Sequence, residues 1–441
     1  MNEHIDLQVL SSLFSKFLSR PVVIKSTERS SLGNGQETWF VQTVDGDKYV
    51  LRRTAAAGPL EWTDRESEYL VLQQLHALGL PVPRVHWFEP QGGLLERSYF
   101  VMDEMPGKPP RQNVSEHHMF QLGVILAKLH TQTKTQEQPV SAQVHFSQLL
   151  INVRARYTEH FLALDPLSAT LVVWLEQNLP VEEFLPVRLW GDPGPHNFLV
   201  EGDTISALLD WEMSSVGHPL EDLGSAFWSC MGFVETSVVR NGYESITGSI
   251  NISTLRWCEV LAHIIRAGQA RDGMHQFVIG RSNDPILPAM GLALVSANLI
   301  RAACAAWDTI PHTHSTHGDS LDTTAPEDLL SAIERCIANL NSITNQDRWT
   351  LNRLKIAEAV LLGLHNGCSQ VSLNQLSAAL ELSNAEIGGI LETCCRLESF
   401  GESATMKPHR QILVDQYSRQ RDLMEPLLSY FGKTTSTSVA K

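Results

Sequence analysis

The sequence predicts an α+β protein in which a small lobe, built on an antiparallel sheet, precedes a larger and mainly helical lobe with a C-terminal helical appendage. Strand-like runs lie before residue 103, and helical periodicity dominates from residue 116 to residue 307. The chain has 441 residues, of which 43% are hydrophobic, so it is long enough for two or three domains of about 150 residues each.

The small lobe begins with three strand-like runs between residues 22 and 54, namely VVIKST, ETWFVQTV and KYVLRRT. Asp45 and Gly46, between the last two runs, suit the positive φ of a tight hairpin turn, so we expect an antiparallel meander. The run SYFVMDEM, which starts at Ser98, predicts one more strand. The proline-rich PGKPP that follows predicts a hinge.

Helical spacing appears first after the third strand, where Leu72, Leu75 and Leu78 share one face and Gly79 provides a C-terminal stop. In the second lobe, HMFQLGVILAKLH is the clearest amphipathic helix. The segment RLWGDPGPHNFLVEGDTISALLDWE interrupts the helical pattern, because NFLV and ISALLD flank a Gly-Asp turn and predict a short hairpin.

These patterns divide the chain into five predicted segments. We expect an N-terminal lobe over 1–102, a hinge over 103–110, a helical lobe over 111–310, a linker over 311–326 and a helical accessory domain over 327–441.

Composition excludes several classes of protein. Basic residues number 34 and acidic residues 49, and the resulting net charge of −15 opposes the positive surface that nucleic-acid binding requires. No uninterrupted apolar run reaches the roughly 18 residues of a membrane span, and the first ten residues lack the features of a secretory signal. The seven cysteines include no CxxC pair, which predicts reduced thiols. We therefore expect a cytoplasmic protein without nucleic-acid or membrane partners.

Three polar residues flank the predicted hairpin at close spacing. Asp192 and Asn197 precede its first strand, and Asp210 follows its second. This arrangement can bring three oxygen ligands to one end of the hairpin. Hard cations such as Mg²⁺ take oxygen ligands and keep water or phosphate oxygens in their other positions, so one amide and one carboxylate suffice. Asp192 would then be left to act as a base.

Several motifs around these residues resemble the aminoglycoside phosphotransferase and choline kinase group, whose fold is protein-kinase-like. WGDPGPHNFLV is similar to the family's HGDxxxxN catalytic loop, and ALLDWEMSSVGHPLEDLG is similar to its metal-binding segment and the GxPxxDL that follows. YVLRRT with SEYLVLQQL resembles its phosphate-clamping strand and helix C. The resemblance covers about residues 20–305, and it is nearest to the branch of kinase-like domains attached to some acyl-CoA dehydrogenases.

The resemblance implies an ATP- and Mg²⁺-dependent kinase of a small hydroxyl compound. Asp192 would accept or orient the proton of the acceptor hydroxyl, while Asn197 and Asp210 would bind Mg²⁺. Arg52 stands where the family has its phosphate-binding lysine, and Glu68 stands where helix C supplies the paired carboxylate. Arg53 stays open as the phosphate ligand, because strand alternation decides which arginine faces the cleft. An ordinary surface pair between Arg52 and Glu68 also stays open.

Further roles follow from the same resemblance. Gly33 and Gly35 would lie in the loop over the phosphates, and Met102 would line the back of the adenine pocket, with the backbones of Asp103 and Met105 at the adenine edge. In addition, Asp222 would support the catalytic loop. Trp190 replaces the family's loop histidine, and we expect this replacement to remove one polar contact.

The acceptor is the least determined part of the expected function. The resemblance assigns its site to about residues 231–305, a stretch with six arginines, no lysine and five acids. A polycation requires many carboxylates, so this balance favours an anionic or neutral acceptor such as a hydroxyacyl-CoA. Two alternatives remain: an antibiotic-type phosphotransferase, and a catalytically silent kinase-like module. Residues 327–441 would offer a surface for a protein partner or for self-association.

Overall fold

The structure is a computed structural model, and it describes residues 5–30, 36–55, 63–110, 113–135, 138–157, 166–230, 234–307, 327–341, 353–354 and 356–357. By their contacts, the described residues form two compact units. The first contains the chain up to Asn113 together with Trp190–Ser215, and the second contains the remainder. The segment with the catalytic motif therefore packs with the N-terminal sheet. The boundaries between the five predicted segments remain predictions.

The first unit is built on a five-stranded antiparallel sheet with the order β1-β2-β3-β5-β4. Its strands are β1 (Ile24–Arg29), β2 (Gln36–Thr43), β3 (Lys48–Thr54), β4 (Val85–Glu89) and β5 (Tyr99–Asp103). Gly46 turns between β2 and β3 with φ 94°, as the Asp-Gly pair predicts. The meander, the helix after it and the strand from Ser98 are thus where the sequence placed them.

Helix α1 (Leu7–Phe17) covers one face of this sheet. Asp6 caps its first turn, and Leu10, Leu13 and Phe14 pack against Trp39, Leu51 and Val101 of the sheet. Helix α2 (Arg65–Ala77) begins at the N-cap Asp64 and contacts β4 and β5. The sequence reading missed both α1 and β4, although the apolar spacing of α1 is visible in LQVLSSLF.

The predicted hairpin is formed by β9 (Phe198–Glu201) and β10 (Thr204–Leu208). The N–H groups of Lys108 and Val200 donate to each other's carbonyls at 3.0 and 2.9 Å. Gly107 makes this approach possible, because a Cβ there would lie 2.7 Å from the Val200 carbonyl oxygen. These contacts join the segment after β5 to the hairpin.

The second unit is mainly helical. Its described helices are α3 (Glu116–Gln132), α4 (Ala142–Tyr157), α5 (Pro166–Gln177), α6 (Pro219–Cys230), α7 (Thr236–Thr247), α8 (Ile252–Val278), α9 (Ile286–Trp307) and α10 (Glu327–Asn341). It also contains the short strands β6 (Val140–Ser141), β7 (Glu183–Phe184) and β8 (Val187–Leu189), while β11 (Ser215–Gly217) begins at its boundary.

Helix α9 is long and apolar enough to cross a membrane by length and composition, with a mean hydropathy of 1.6. In the structure 89% of its most apolar window is buried, a property that it shares with core helices of folded proteins. Ser296, Asn298 and Arg301 interrupt the apolar run of α9 in the sequence. Of the predicted C-terminal appendage, only α10 and residues 353–354 and 356–357 are described.

Candidate active site

The catalytic-loop motif places Asp192 beside Asn197 and His196. The Asn197 amide nitrogen Nδ2 donates to Asp192 Oδ2 and to the Asp192 carbonyl, both at 3.0 Å. His196 Nε2 lies 3.1 Å from the same Oδ2 atom. Two neighbours therefore fix the rotation of the Asp192 carboxylate.

The hairpin brings Asp210 to the end where Asn197 lies. Phe198 pairs with Leu208, and beyond that pair the N–H of Leu209 donates to the Asn197 carbonyl at 2.7 Å. The strands therefore juxtapose the two predicted metal ligands as their spacing implied. Asp210 has φ 61°, a left-handed conformation that non-glycine residues adopt rarely and only where their neighbours hold them.

Two stacked tryptophans hold the backbone on either side of this hairpin end. The rings of Trp190 and Trp211 lie 5.4 Å apart at an interplanar angle of 21°. Trp190 Nε1 donates to the carbonyl of Leu209 at 2.9 Å. The indole N–H of Trp190 thus ties the catalytic loop to the residue before Asp210. The expected loss of the histidine's own polar contact stays a prediction.

Gly191, between Trp190 and Asp192, is required by close packing. It has φ 87°, and a Cβ at this position would lie 2.3 Å from the carbonyl oxygen of Met213. The glycine of the motif thus allows the catalytic loop to lie directly against the turn that follows Asp210.

Arg52, on β3, faces the predicted metal ligand. Its Nη2 lies 2.8 Å from Asp210 Oδ1, and its Nε lies 3.4 Å from Glu68 Oε1. Burial by itself lowers the pKa of Arg52, but Asp210, Glu68 and other acids more than offset it and raise that pKa above its usual value. Because Arg52 and Glu68 are both buried, the alternative of an ordinary surface pair is wrong.

A second arginine, Arg65, extends this network and was not among the predicted site residues. Arg65 Nη1 pairs with Glu68 Oε2, and Nη2 lies 2.9 Å from Glu212 Oε2. Burial, reinforced by the charge of Asp210, raises the pKa of Glu212 above its usual range in spite of the two arginines. We call the five charged side chains Arg52, Glu68, Arg65, Glu212 and Asp210 the charge ring.

The charge ring closes through the chain itself, since Glu212 and Asp210 are separated only by Trp211. It contains two basic and three acidic side chains. Four of them are buried, whereas the side chain of Asp210 is 31% exposed. The partly exposed carboxylate of Asp210 can therefore meet a cation.

Arg53 points to the opposite face of the sheet, where it meets Glu37. Its Nε and Nη2 donate to Glu37 Oε2 at 2.8 and 2.6 Å. Arg97 and Arg29 approach the other oxygen of Glu37 at 3.0 and 3.7 Å. We call these four residues the Glu37 cluster. The geometry assigns Arg52, not Arg53, to the face that carries Asp210.

The predicted adenine-binding residues lie at the end of β5. Met102 is buried. The N–H of Asp103 donates to the Arg84 carbonyl at 3.0 Å, so only its carbonyl is left for an adenine edge. The N–H of Met105 has no partner among the residues that the structure describes. Gly33 and Gly35 lie outside the described residues.

Asp222 lies in the second unit, at the start of α6, and is buried. Its Oδ2 lies 3.1 Å from His130 Nε2, and His130 Nδ1 lies 2.9 Å from the Tyr243 hydroxyl. These contacts link α6 to α3 and α7. The predicted support of the catalytic loop by Asp222 stays a prediction.

The donor set at the hairpin end fits magnesium. In the described part of the chain, no group of three or more His, Cys, Asp or Glu side chains could hold a metal alone. Asn197 uses Nδ2 toward Asp192, which leaves its Oδ1 as a ligand, and Asp210 adds a carboxylate. Mg²⁺ commonly binds one or two protein oxygens together with substrate phosphates, and one amide oxygen with one carboxylate matches this coordination.

Comparison with known proteins decides the family. Residues 27–257, which include every element of this site, match the phosphotransferase enzyme family APH. The chain belongs to this family. The resemblance to the aminoglycoside phosphotransferase and choline kinase group, and the protein-kinase-like fold that it implies, are thereby confirmed.

Curated relatives of this APH-family chain include acyl-CoA dehydrogenase family member 11 of Gallus gallus. The two are 27% identical over 232 residues, which cover 48% of this chain and 29% of the chicken protein. The chain therefore matches less than a third of the length of that relative.

One solved structure gives the same fold at a TM-score above 0.5. A Ralstonia eutropha protein assigned to the aminoglycoside phosphotransferases is 19% identical, with a TM-score of 0.54, and the match covers 68% of this chain and 98% of that one. Choline kinase LicA from Streptococcus pneumoniae is 17% identical, with a TM-score of 0.48, over 67% of this chain and 98% of that one. LicA has also been solved in complex with AMP.

Proposed function

We propose that this phosphotransferase is an ATP- and Mg²⁺-dependent kinase that phosphorylates a hydroxyl group of a small molecule. The observation that carries the proposal is the placement of Asp192, Asn197 and Asp210 at one end of the hairpin, with Arg52 paired to Asp210. A carboxylate base, two oxygen ligands and a permanent cation are the parts that phosphoryl transfer requires.

Asp192 would act on the acceptor. Its carboxylate is held by Asn197 and His196 and can accept the proton of the acceptor hydroxyl. As the hydroxyl oxygen bonds to the γ-phosphorus of ATP, the bond from that phosphorus to the bridging oxygen breaks and ADP leaves. The proton ends on Asp192, so the step is balanced without a further reactant.

Asn197 and Asp210 would hold Mg²⁺, which when bound offsets the negative charge of the phosphates. Arg52 would exchange its contact with Asp210 for the phosphate oxygens, which a guanidinium can bind through two parallel hydrogen bonds. Glu68 keeps Arg52 in place during this exchange, because it pairs with a different nitrogen of the same guanidinium.

The nucleotide base would lie at the end of β5. The Asp103 carbonyl can accept from the adenine amino group, and the Met105 N–H can donate to a ring nitrogen. Met102, which is buried on the same strand, supplies an apolar wall. Both polar contacts come from the backbone and therefore depend little on side-chain identity.

For the acceptor we propose a hydroxyacyl-CoA. The similarity to acyl-CoA dehydrogenase family member 11 supports this class, as does the excess of arginine over acid in residues 231–305. Within that stretch Arg240 pairs with Glu244 at 3.6 Å, whereas Arg266 is buried over the ring of Trp228 at 4.8 Å. A polycationic aminoglycoside finds no matching excess of carboxylates there.

The test is transfer of radiolabelled γ-phosphate from ATP to a panel of 3- and 4-hydroxyacyl-CoAs, free hydroxy acids, choline and kanamycin, with Asp192→Asn as the background. We expect a labelled hydroxyacyl-CoA that the variant does not form. Faster labelling of kanamycin than of every hydroxyacyl-CoA would overturn the acceptor class. Absence of Mg²⁺-dependent ATP binding would overturn the proposed kinase activity and favour a catalytically silent module.

A further inference from the structure

The first residue of α2, Arg65, is an unusual residue for its position. It is only 1% exposed, although arginine is rarely buried completely unless it is paired. A helix N-terminus also favours acidic side chains, as Asp64, Glu66 and Glu68 show. The chain therefore places a buried positive charge where local helix energetics disfavour it, and its partners must account for it.

Those partners come from two distant parts of the chain. Nη1 of Arg65 pairs with Glu68 in its own helix, while Nη2 reaches Glu212, which is 147 residues away. The same Nη2 donates to Thr63 Oγ1 at 2.9 Å. The planar guanidinium thus spans two carboxylates, which the single ammonium of lysine cannot do with the same geometry.

Glu212 lies two residues after Asp210, whose left-handed backbone must be held by its neighbours. Trp211, the next residue, is buried against Trp190. Glu212, the one after it, is fixed by Arg65. The direction in which Asp210 presents its carboxylate is therefore set in part by an ion pair that Arg65 supplies.

We infer that Arg65 is a positioning residue for the metal site: it holds Glu212, and through it Asp210, in the orientation that binds Mg²⁺. The same guanidinium holds Glu68, which in turn pairs with Arg52. A single buried arginine thus sets both the metal ligand and the phosphate ligand relative to α2. This inference rests on the proposed function, since it assigns Arg65 a role toward the magnesium nucleotide.

The decisive variant is Arg65→Lys, because it keeps the charge and removes only the two-pronged geometry. The probe is the non-hydrolysable analogue AMP-PNP, titrated calorimetrically with and without Mg²⁺. The measured quantity is the ratio of the two affinities, which isolates the metal from nucleotide binding in general. Residues that orient metal ligands typically contribute 10- to 100-fold to metal affinity, so we expect the ratio to fall by about 10-fold in Arg65→Lys and further in Arg65→Met.

The matched control is Arg53→Lys, on the other face of the sheet. Arg53 is also buried and also pairs with a buried glutamate, so its replacement disturbs the same sheet to a similar degree. We expect it to lower the melting temperature without changing the Mg²⁺ ratio. If the ratio of AMP-PNP affinities with and without Mg²⁺ fell equally in Arg65→Lys and Arg53→Lys, the cause would be general destabilisation of the sheet. That result would overturn the inference.

The two hypotheses fail in different ways. If the wild type binds AMP-PNP equally with and without Mg²⁺, the proposed function is wrong. If the wild type depends on Mg²⁺ and Arg65→Lys keeps the wild-type ratio, the proposed function stands and the positioning role is wrong. Lysine preserves charge and much of the side-chain volume, so this variant keeps the test available should Arg65→Met fail to fold.

Discussion

Arg52 and Arg53 are neighbours on one strand, yet they belong to two buried charge clusters with opposite properties. The charge ring around Arg52 has two bases and three acids, and one of the acids, Asp210, is partly exposed. The Glu37 cluster around Arg53 has three bases and one acid, and that acid is only 4% exposed. The charge ring is accessible to a cation at Asp210, whereas in the Glu37 cluster three arginines surround the buried carboxylate.

The presence of buried and paired charged side chains therefore does not by itself indicate a ligand site. Both clusters contain ion pairs shorter than 3 Å, and both join strands to segments distant in sequence. What separates them is the ratio of acidic to basic side chains and the exposure of the carboxylate, which is 31% for the Asp210 side chain and 4% for Glu37. An acidic excess at a partly exposed carboxylate suits a metal, whereas a buried glutamate between arginines stabilises the fold.

The largest effect is expected at the base. Asp192→Asn should lower kcat by about 10²- to 10⁴-fold, since the amide cannot accept the acceptor proton, with little change in nucleotide affinity. Steady-state kinetics and AMP-PNP titration measure the two quantities separately. Wild-type kcat in this variant would remove Asp192 from the mechanism.

Asp210→Ala should chiefly abolish the dependence of ATP binding on Mg²⁺. The variant removes one of two protein oxygen ligands and also frees Arg52 from its ion pair, so metal-free nucleotide binding should persist. Calorimetric titration of AMP-PNP at several Mg²⁺ concentrations checks this. Retention of the wild-type Mg²⁺ dependence would show that the metal site lies elsewhere.

The third test exchanges the two arginines. Arg52→Ala should weaken ATP binding more than adenosine binding, because its contacts are to phosphate. Arg53→Ala should instead lower the free energy of unfolding by about 1–3 kcal/mol, because Glu37 loses one of its charged partners while buried. Nucleotide titration and urea unfolding of both variants distinguish the roles. The reverse pattern would assign the phosphate contact to Arg53.

The smallest effect is the pH dependence of the Glu37 cluster. Burial by itself raises the pKa of Glu37, but Arg29, Arg53 and Arg97 outweigh it and hold that pKa below its usual value of 4.5. A lowered acid pKa contributes stability above pH 4.5 that is lost as pH falls through the folded-state pKa. In Glu37→Gln the free energy of unfolding should therefore fall less steeply as the pH drops below 4.5, by up to about 1.4 kcal/mol per pH unit. Urea unfolding of both proteins at several acidic pH values measures this slope. An unchanged slope would place the responsible carboxylate elsewhere.

Features whose residues lie close together in the sequence could be predicted from the sequence alone. Asp192, Asn197 and Asp210 are brought together by a single short hairpin, so their spacing was enough to predict the juxtaposition. Each of these assignments needed only the strands that flank it, and the motifs around them fixed the family.

Two features needed the tertiary structure. Whether Arg52 or Arg53 faces Asp210 depends on which side of the sheet the core helix covers, and that helix, α1, was not recognised. Arg65 could have been noticed as a basic residue three positions before Glu68 on one helix face. Its second partner, Glu212, lies 147 residues away, and no periodicity within α2 indicates such a contact.

The most direct test of the central claim, that the charge ring is a magnesium-nucleotide site, is the thermal unfolding of the wild-type protein with ATP and Mg²⁺, with ATP alone and with Mg²⁺ alone. Ligands that bind only the folded state stabilise it by about 2.7 kcal/mol at a hundredfold excess over Kd. We expect a rise in melting temperature of several degrees with ATP and Mg²⁺ together, and a clearly smaller rise with either alone. Equal melting temperatures in all three conditions and in buffer would contradict the account.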